Sequence, residues 1–581
     1  MHKPLRRRPK KKSRGWRGPL RCLVVVVVVA WVALLALYAK PLEVSVDPVA
    51  LEEAAILEAA VLEKLEKSEK TSAAKEQEEL RKIAKKHGLI DDDDETRGEE
   101  EMEAHAEKQQ VKIDEQKEEH EAFVMELDER TNLYVPEFYT GETRDDESIF
   151  LMIASYRDFQ CRDSIISALE RAAKPERLVV AAVQQNKEGD QSCLEPEVSC
   201  EEDSTQVLCK YKDQLKVYEM DYRDATGPVY ARHVGYRMYR GEAFAMQIDA
   251  HCVFVNSWDE DILSQWRATK NDMAVLSTYL TDVQGSITPS GDSKRRTRPI
   301  MCNSDFEGQP PARYLRHNSQ PEAVPVILTE PMLQPFWAAG FSFARGHFLI
   351  NVKYDCCLPM VFMGEEISIG IRAWTHGYDL YAPQRSVLFH EYAQNSKRRG
   401  QVPKFWERGG PDSQAFQRAK QQGNGGRSLK RLTALIGMAP GTTDYDKTLA
   451  DVYGLGTKRD VQQFYDLFLI DVREKKAQPL CKFVEGGALH RQIHQKYVTP
   501  NGIDYSQLEK GFTAQSFIDD QLYEPLANRI RRALTNHADQ PQLTKLLQEA
   551  NRIKLERRGG TYADLVQQAR HAQSSLMQHA P

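Results

Sequence analysis

Asp249 and His251 stand two residues apart between apolar runs, in the stretch Met246-Gln247-Ile248-Asp249-Ala250-His251-Cys252-Val253-Phe254-Val255. Successive strand side chains point to opposite faces, so these two project from the same face where the strand ends. A carboxylate and an imidazole so placed can share one cation. Oxygen-plus-nitrogen ligation suits Mn²⁺, and such an ion can bridge a diphosphate whose oxygen must leave carrying charge. The same triplet also occurs at ordinary capped strand ends with a hydrogen-bonded histidine, so the surrounding chain has to decide.

The elements that would position the triplet are legible on either side of it. Ser148 to Asp158 reads as a buried strand ending in a polar turn, and Ile165, Ile166, Leu169 and Ala172 follow at helical spacing. Leu178 to Val183 is a second buried strand. Strand, helix, strand implies a parallel pair, and α/β sheets bind ligands beyond the carboxyl ends of their strands, where Ser155, Tyr156 and Arg157 would sit. A third strand at Leu215 to Met220 leads through Asp221 and Gly227-Pro228 into a helix over Val229 to Tyr239. Arg232 in its first turns suits either an anionic ligand or a salt bridge. Trp258 opens another helix, Met273 to Thr278 is a further strand, and residues 282–325 read as a loop over one face.

A second informative region runs from Phe336 to Tyr392. Ile367, Ile371 and Trp374 mark one face of a helix that starts with Glu365 and Glu366. These acids are either helix-dipole partners or groups that orient an acceptor hydroxyl. Val387 to Tyr392 is an apolar run carrying His390, a candidate third ligand for Asp249 and His251 that spacing alone cannot place.

The chain has 581 residues, 41% of them hydrophobic, and a formal charge of −6. That is room for a large domain with appendages, and no global field argues for nucleic acid. Met1 to Arg21 holds ten Lys or Arg and no acid, and Cys22 to Ala39 is 18 residues without a charge. The run is just long enough to cross a bilayer, and the basic flank should remain cytosolic. The expectation is a single-pass type II anchor with the rest of the chain in the lumen. Residues 40–145 read as a charged stalk, partly helical or disordered, with a short coiled coil possible near Leu51 to Leu65. Nine of the ten cysteines follow the span, so at least one should stay outside disulfides, and Cys193, Cys200 and Cys209 are placed to staple their loop. Past residue 480 the chain reads as a helical extension.

Taken in order, several stretches resemble glycosyltransferase family 60, the group of polypeptide and hydroxyproline N-acetylglucosaminyltransferases. They are Ile153 to Asp158, Met220 to Arg223 with Gly227-Pro228 and Ala231-Arg232-His233, Gln247 to His251, Trp337 to Ala344, Gly364-Glu365-Glu366, Trp374 to Asp379 and Tyr453 to Arg459. The resemblance implies a GT-A fold over residues 146–480, a UDP-sugar donor, a divalent metal such as Mn²⁺ and retention of anomeric configuration. It makes Asp249, His251 and His390 the metal ligands. Ser155, Tyr156 and Arg157 would lie by the uridine and Arg232 by the diphosphate. Asp221, Trp337 and Gly340 join the donor site, and Glu365 or Glu366 the sugar and acceptor pocket. Ala250 stands where the family more commonly has Ser. The acceptor is expected to be a hydroxyl of a protein, Thr or Ser or hydroxyproline, and the anchor points to the Golgi or ER membrane. Two rival readings remain: a tethered scaffold without activity, and a binuclear metallophosphoesterase, which needs more ligands than this chain offers and a Gly-Asn-His stretch that is missing.

Overall fold

The structure, a computed structural model, describes residues 123–309, 313–402, 404–405, 424–509 and 512–514, with Lys545 and Gln548. The apolar run at 22–39, the proposed coiled coil and most of the stalk lie outside these residues. Among the described residues no helix is long and apolar enough to cross a membrane. Residues 123–145, expected as the end of the stalk, instead form part of the folded body. There β1 (Met125–Asp128) and β2 (Leu133–Pro136) pair antiparallel. Leu133 and Val135 are buried in the core, and the backbone carbonyl of Tyr134 accepts from the Tyr218 hydroxyl at 2.8 Å. Two apolar residues at alternate positions are enough to seat a hairpin, and the charged composition around them hides that signal.

The sheet is built outward from β3 (Ile149–Tyr156), whose first five residues are all buried, as a central parallel strand covered on both faces must be. The helix α1 (Cys161–Arg171) carries the chain to β4 (Leu178–Asn186), which pairs parallel with β3, and β5 (Leu215–Asp221) adds parallel to β4. After α2 (Pro228–Arg237) the chain crosses to the other side of β3 and enters β6 (Phe244–Asp249), again parallel to it. The order of strands therefore reverses between β3 and β6, and their carboxyl ends open on one crevice, the place where sheets of this kind take ligands.

Beyond β6 lie β7 (Cys252–Phe254), α3 (Trp258–Ala268) and β8 (Ala274–Ser277). The stretch expected as a loop over 282–325 carries two small antiparallel pairs, β9 (Arg298–Pro299) with β12 (Glu322–Ala323), and β10 (Ser304–Glu307) with β11 (Tyr314–His317). After β13 (Met332–Leu333) and β14 (Phe341–Arg345) comes α4 (Glu365–Thr375), followed by β15 (Asp379–Ala382) and β16 (Leu388–His390). The eight-stranded sheet runs β13-β15-β8-β14-β6-β3-β4-β5, with β14 antiparallel to both of its neighbours. This mixed α/β architecture agrees with the α/β part of the expected fold class.

Four disulfides brace the body: Cys161–Cys193, Cys200–Cys209, Cys302–Cys481 and Cys356–Cys357. Of the nine cysteines after residue 40, only Cys252, buried in β7, lies outside them. The expected boundary at 480 falls within packed structure: Cys481 is tied to Cys302, and Phe483, Val484, Leu489, Ile493, Ile503 and Tyr505 are buried. Residues 481–509 form short helical turns and a small hairpin, while 515–581, apart from Lys545 and Gln548, lie outside the described residues.

Candidate active site

A cleft of about 730 Å³ opens where β3, β4 and β6 end, and Tyr156, Gln185, Asp249, His251, Glu365 and His390 are among its walls. Asp249 is the last residue of β6, and His251 sits in the bend before β7. His390 arrives by strand pairing, since β16 runs antiparallel to β7 with His390 opposite Cys252, the residue after His251. The backbone N–H of Glu391 donates to the His251 carbonyl at 3.0 Å and fixes that register. One ligand atom from each of Asp249, His251 and His390 lies within 4.8 Å of the others. His390 Nε2 is 3.4 Å from Asp249 Oδ2, and the two imidazole rings meet edge to face at 4.3 Å.

A carboxylate stands behind this cluster. Asp158 Oδ2 accepts from His251 Nδ1 at 2.9 Å, so the lone pair left for a cation is on Nε2. Gly340 flanks the cluster from the other side, where a Cβ would come 3.2 Å from Asp249 Oδ2 and crowd the ligand. One carboxylate oxygen and two imidazole nitrogens beside an open cleft fit Mn²⁺ or a similar divalent ion.

Two other groups of possible ligands occur among the described residues. In Asp355-Cys356-Cys357 both sulfurs are in a disulfide. In Glu330, His490 and His494 the ring nitrogens are engaged otherwise. His490 Nδ1 accepts from the Leu333 backbone N–H at 3.2 Å, so its Nε2 carries the proton given to Glu330 at 2.9 Å.

Glu365 and Glu366 open α4 behind Gly364, whose φ of 96° lets the chain turn into the helix. Glu366 is held on three sides, accepting from Tyr279 Oη at 2.7 Å, the Ala339 N–H at 2.8 Å and His317 Nδ1 at 3.2 Å. Burial raises its pKa, but these donors outweigh it and the net shift is downward. Glu365 accepts from Arg232 Nη1 at 2.5 Å and its Oε2 is buried with no hydrogen-bond partner among the described residues. Burial pushes its carboxyl up to about 7 although Arg232 opposes the rise. Arg232 also donates to Asp249 Oδ1 at 3.0 Å, so one buried guanidinium ties the Asp249 carboxylate to Glu365. Burial works against the Asp249 charge, yet His390 and Arg232 hold its carboxyl well below the usual range.

The structure brings Tyr156, Arg232, Asp249, His251, Gly340, Glu365, Glu366 and His390 to one cleft and places four other expected residues elsewhere. Ser155 faces away from Tyr156 and is buried. Arg157, at φ 50°, turns out to pair with Asp190 at 2.7 Å. Asp221 caps the turn after β5, accepting from the Arg223 N–H at 2.7 Å. Trp337 is wholly buried, and the position of a Cβ on Gly370 would be 3.3 Å from its own Cβ, so it belongs to the core behind α4. Asp158, Gln185, Tyr279 and His317 were not singled out by residue type. Strand alternation does put Gln185 on the face of Tyr156, because the two are register partners.

With this geometry in place, comparison with known proteins adds a family. The model of the family described as Glycosyltransferase (GlcNAc) matches residues 148–210 and 195–474, more than half of the chain. The chain belongs to the Glycosyltransferase (GlcNAc) family. The residues matched in this family member include Asp249, His251 and His390 and both acids at the start of α4. No curated protein matches the chain. Solved structures similar to it include GalNAc-T7 with UDP, GalNAc and Mn²⁺, at 14% identity over 61% of each chain and a TM-score of 0.36. Another is S. aureus TarS 1–349 in complex with UDP-GlcNAc, at 11% identity over 73% of this chain and 92% of that one, with a TM-score of 0.29. The chain thus spans 61% of the length of the GalNAc-T7 structure it matches.

Proposed function

We propose that this chain is a metal-dependent, retaining glycosyltransferase of family 60 that moves GlcNAc from UDP-GlcNAc to a protein hydroxyl, on Thr, Ser or hydroxyproline. The observation that carries the reading is the convergence of Asp249, His251 and His390 beside buried acids in the cleft at the sheet's switch point. Asp249, His251 and His390 would hold Mn²⁺, which supplies charge stabilisation for the departing UDP. Asp158 keeps His251 in the tautomer that offers Nε2, and Arg232 keeps the Asp249 carboxylate turned toward the cluster. Glu366, fixed by Tyr279, His317 and Ala339, forms a rigid polar wall. Glu365 presents a carboxyl oxygen with no donor among the described residues, suited to accept from a hydroxyl of the sugar or the acceptor. No strong base is required, because the leaving phosphate oxygen can take the acceptor proton as the hydroxyl attacks on the same face.

The apolar run at 22–39 supports a type II anchor with the catalytic domain in the Golgi or ER lumen. The four disulfides suit such a compartment. Against a binuclear phosphoesterase stands the cluster itself, which offers three ligands and no second set beside them among the described residues. The test is a screen of UDP-sugars against Thr-rich and hydroxyproline peptides, with Mn²⁺ and with excess chelator. GlcNAc transfer that chelation stops is the expected result. Full transfer in chelator removes the metal role, and no turnover together with no UDP binding leaves the inactive scaffold.

A further inference from the structure

The carboxyl end of β4 presents two glutamines in unlike states. Gln184 is fully engaged: its Oε1 accepts from the Cys193 N–H at 2.8 Å and from Ser192 Oγ at 3.1 Å, while its Nε2 donates to Glu219 at 3.2 Å. Gln185, only 4% exposed, lies on the cleft, and its Nε2 donates to the Ser155 carbonyl at 3.2 Å. Its Oε1 is buried and has no hydrogen-bond partner among the described residues. The reverse amide orientation would set two acceptors against each other, so chemistry fixes which end lacks a partner. A buried carbonyl oxygen left without a donor in a native cleft calls for one from a ligand.

The surroundings say which ligand. Tyr156 is the register partner of Gln185, and Ala154, two residues earlier, is the partner of Asp249. A flat ring, a small side chain and the amide thus line the cleft together. The Asp249 carboxylate is one strand from Ala154, and two strands across and two residues along, roughly 12 Å, from Gln185. With the diphosphate at the cation, the base of a nucleoside diphosphate falls on this patch. Uracil offers an N–H at N3, where cytosine has a bare lone pair.

We propose that Gln185 Oε1 accepts the N3–H of uracil and selects uridine over cytidine nucleotides, an inference that rests on the transferase reading of the cleft. Calorimetry on the full-length chain with Mn²⁺, titrating UDP and CDP, tests it. The wild-type chain should bind UDP at least tenfold more tightly than CDP. Gln185→Leu, similar in size but without the acceptor, should weaken UDP at least tenfold and leave CDP and Mn²⁺ affinity unchanged, so that the ratio collapses. A UDP-to-CDP ratio that survives the substitution, or an equal loss for both, overturns the proposal. N3-methyl-UDP on the unaltered chain is an independent probe: at least tenfold weaker binding than UDP is expected, and equal binding overturns it. A wild-type chain that binds neither UDP nor CDP overturns the transferase reading along with it, whereas UDP binding indifferent to Gln185 and to N3 methylation removes only the role of Gln185.

Discussion

Among the described residues, two places bring a carboxylate and two histidines within reach of one another, and their surroundings are opposite. At the cleft, Asp249, His251 and His390 lie beside open space, with Asp158 binding the far nitrogen of His251. Under the small helical turns at 490–497, Glu330, His490 and His494 form a closed set. The Leu333 N–H occupies His490 Nδ1, Tyr381 Oη lies 3.0 Å from His494 Nδ1, and the rings stack at 4.3 Å with Glu330 taking the remaining proton of His490. The difference is in what touches the second ring nitrogen. An acceptor there frees Nε2 as a ligand, whereas a backbone donor obliges Nε2 to carry the proton. Residue type and proximity alone would have given two metal sites.

The sharpest way to break this comparison is to remove each carboxylate in turn. Asp249→Ala should lower transfer at least a hundredfold, about 3 kcal/mol, by deleting the contact that the proposed function assigns to a charge-stabilising ion. Glu330→Ala should leave the turnover of folded enzyme unchanged and instead cost about 2–4 kcal/mol of stability, since it leaves buried imidazole N–H groups without an acceptor. Thermal unfolding followed beside initial rates separates the two; matching effects from the two substitutions would erase the distinction.

A smaller effect is expected one layer back. Asp158→Ala should weaken Mn²⁺ binding about 10- to 100-fold, read by calorimetry, because His251 loses the partner that fixes its tautomer. Unchanged Mn²⁺ affinity would make that hydrogen bond a packing detail.

The least abrupt difference is in pH. Burial lowers the pKa of His490, and it lowers that of His494 to about 4. As pH falls below about 6.5 the unfolded chain takes up protons that the folded rings refuse. The stability contributed by the neutral rings is therefore complete above that pH and lost progressively toward pH 4. Melting temperatures measured at pH 7.5 and 5 should fall with acid, and less steeply in a His494→Gln variant. A flat profile would contradict the closed, neutral reading of this set.

How far these distinctions were legible depends on the range of the interaction. The parallel strands β3 and β4 are continuous apolar runs, and the Asp249–His251 pair follows from local alternation, so both could be read from sequence. Alternation also assigns Tyr156 to the cleft and Ser155 away from it, a step that a motif taken as a block conceals. The family resemblance of the stretch Trp337 to Ala344 implies a donor role for Trp337, but a large apolar ring beside Gly370 is better used in the core. His317 ends β11 in a polar stretch, and the contact that brings it to the cleft is with Glu366, 49 residues further on. Asp158 and His251 are 93 residues apart, and no spacing rule joins them.

The central claim is that one cluster binds a divalent cation and the other cannot, and counting ions tests it most directly. Mn²⁺ titrated into the full-length chain, with free ion followed by electron paramagnetic resonance, should show one site per chain that Asp249→Ala removes and Glu330→Ala leaves intact. Two sites per chain, or binding that survives Asp249→Ala and disappears with Glu330→Ala, would contradict the account.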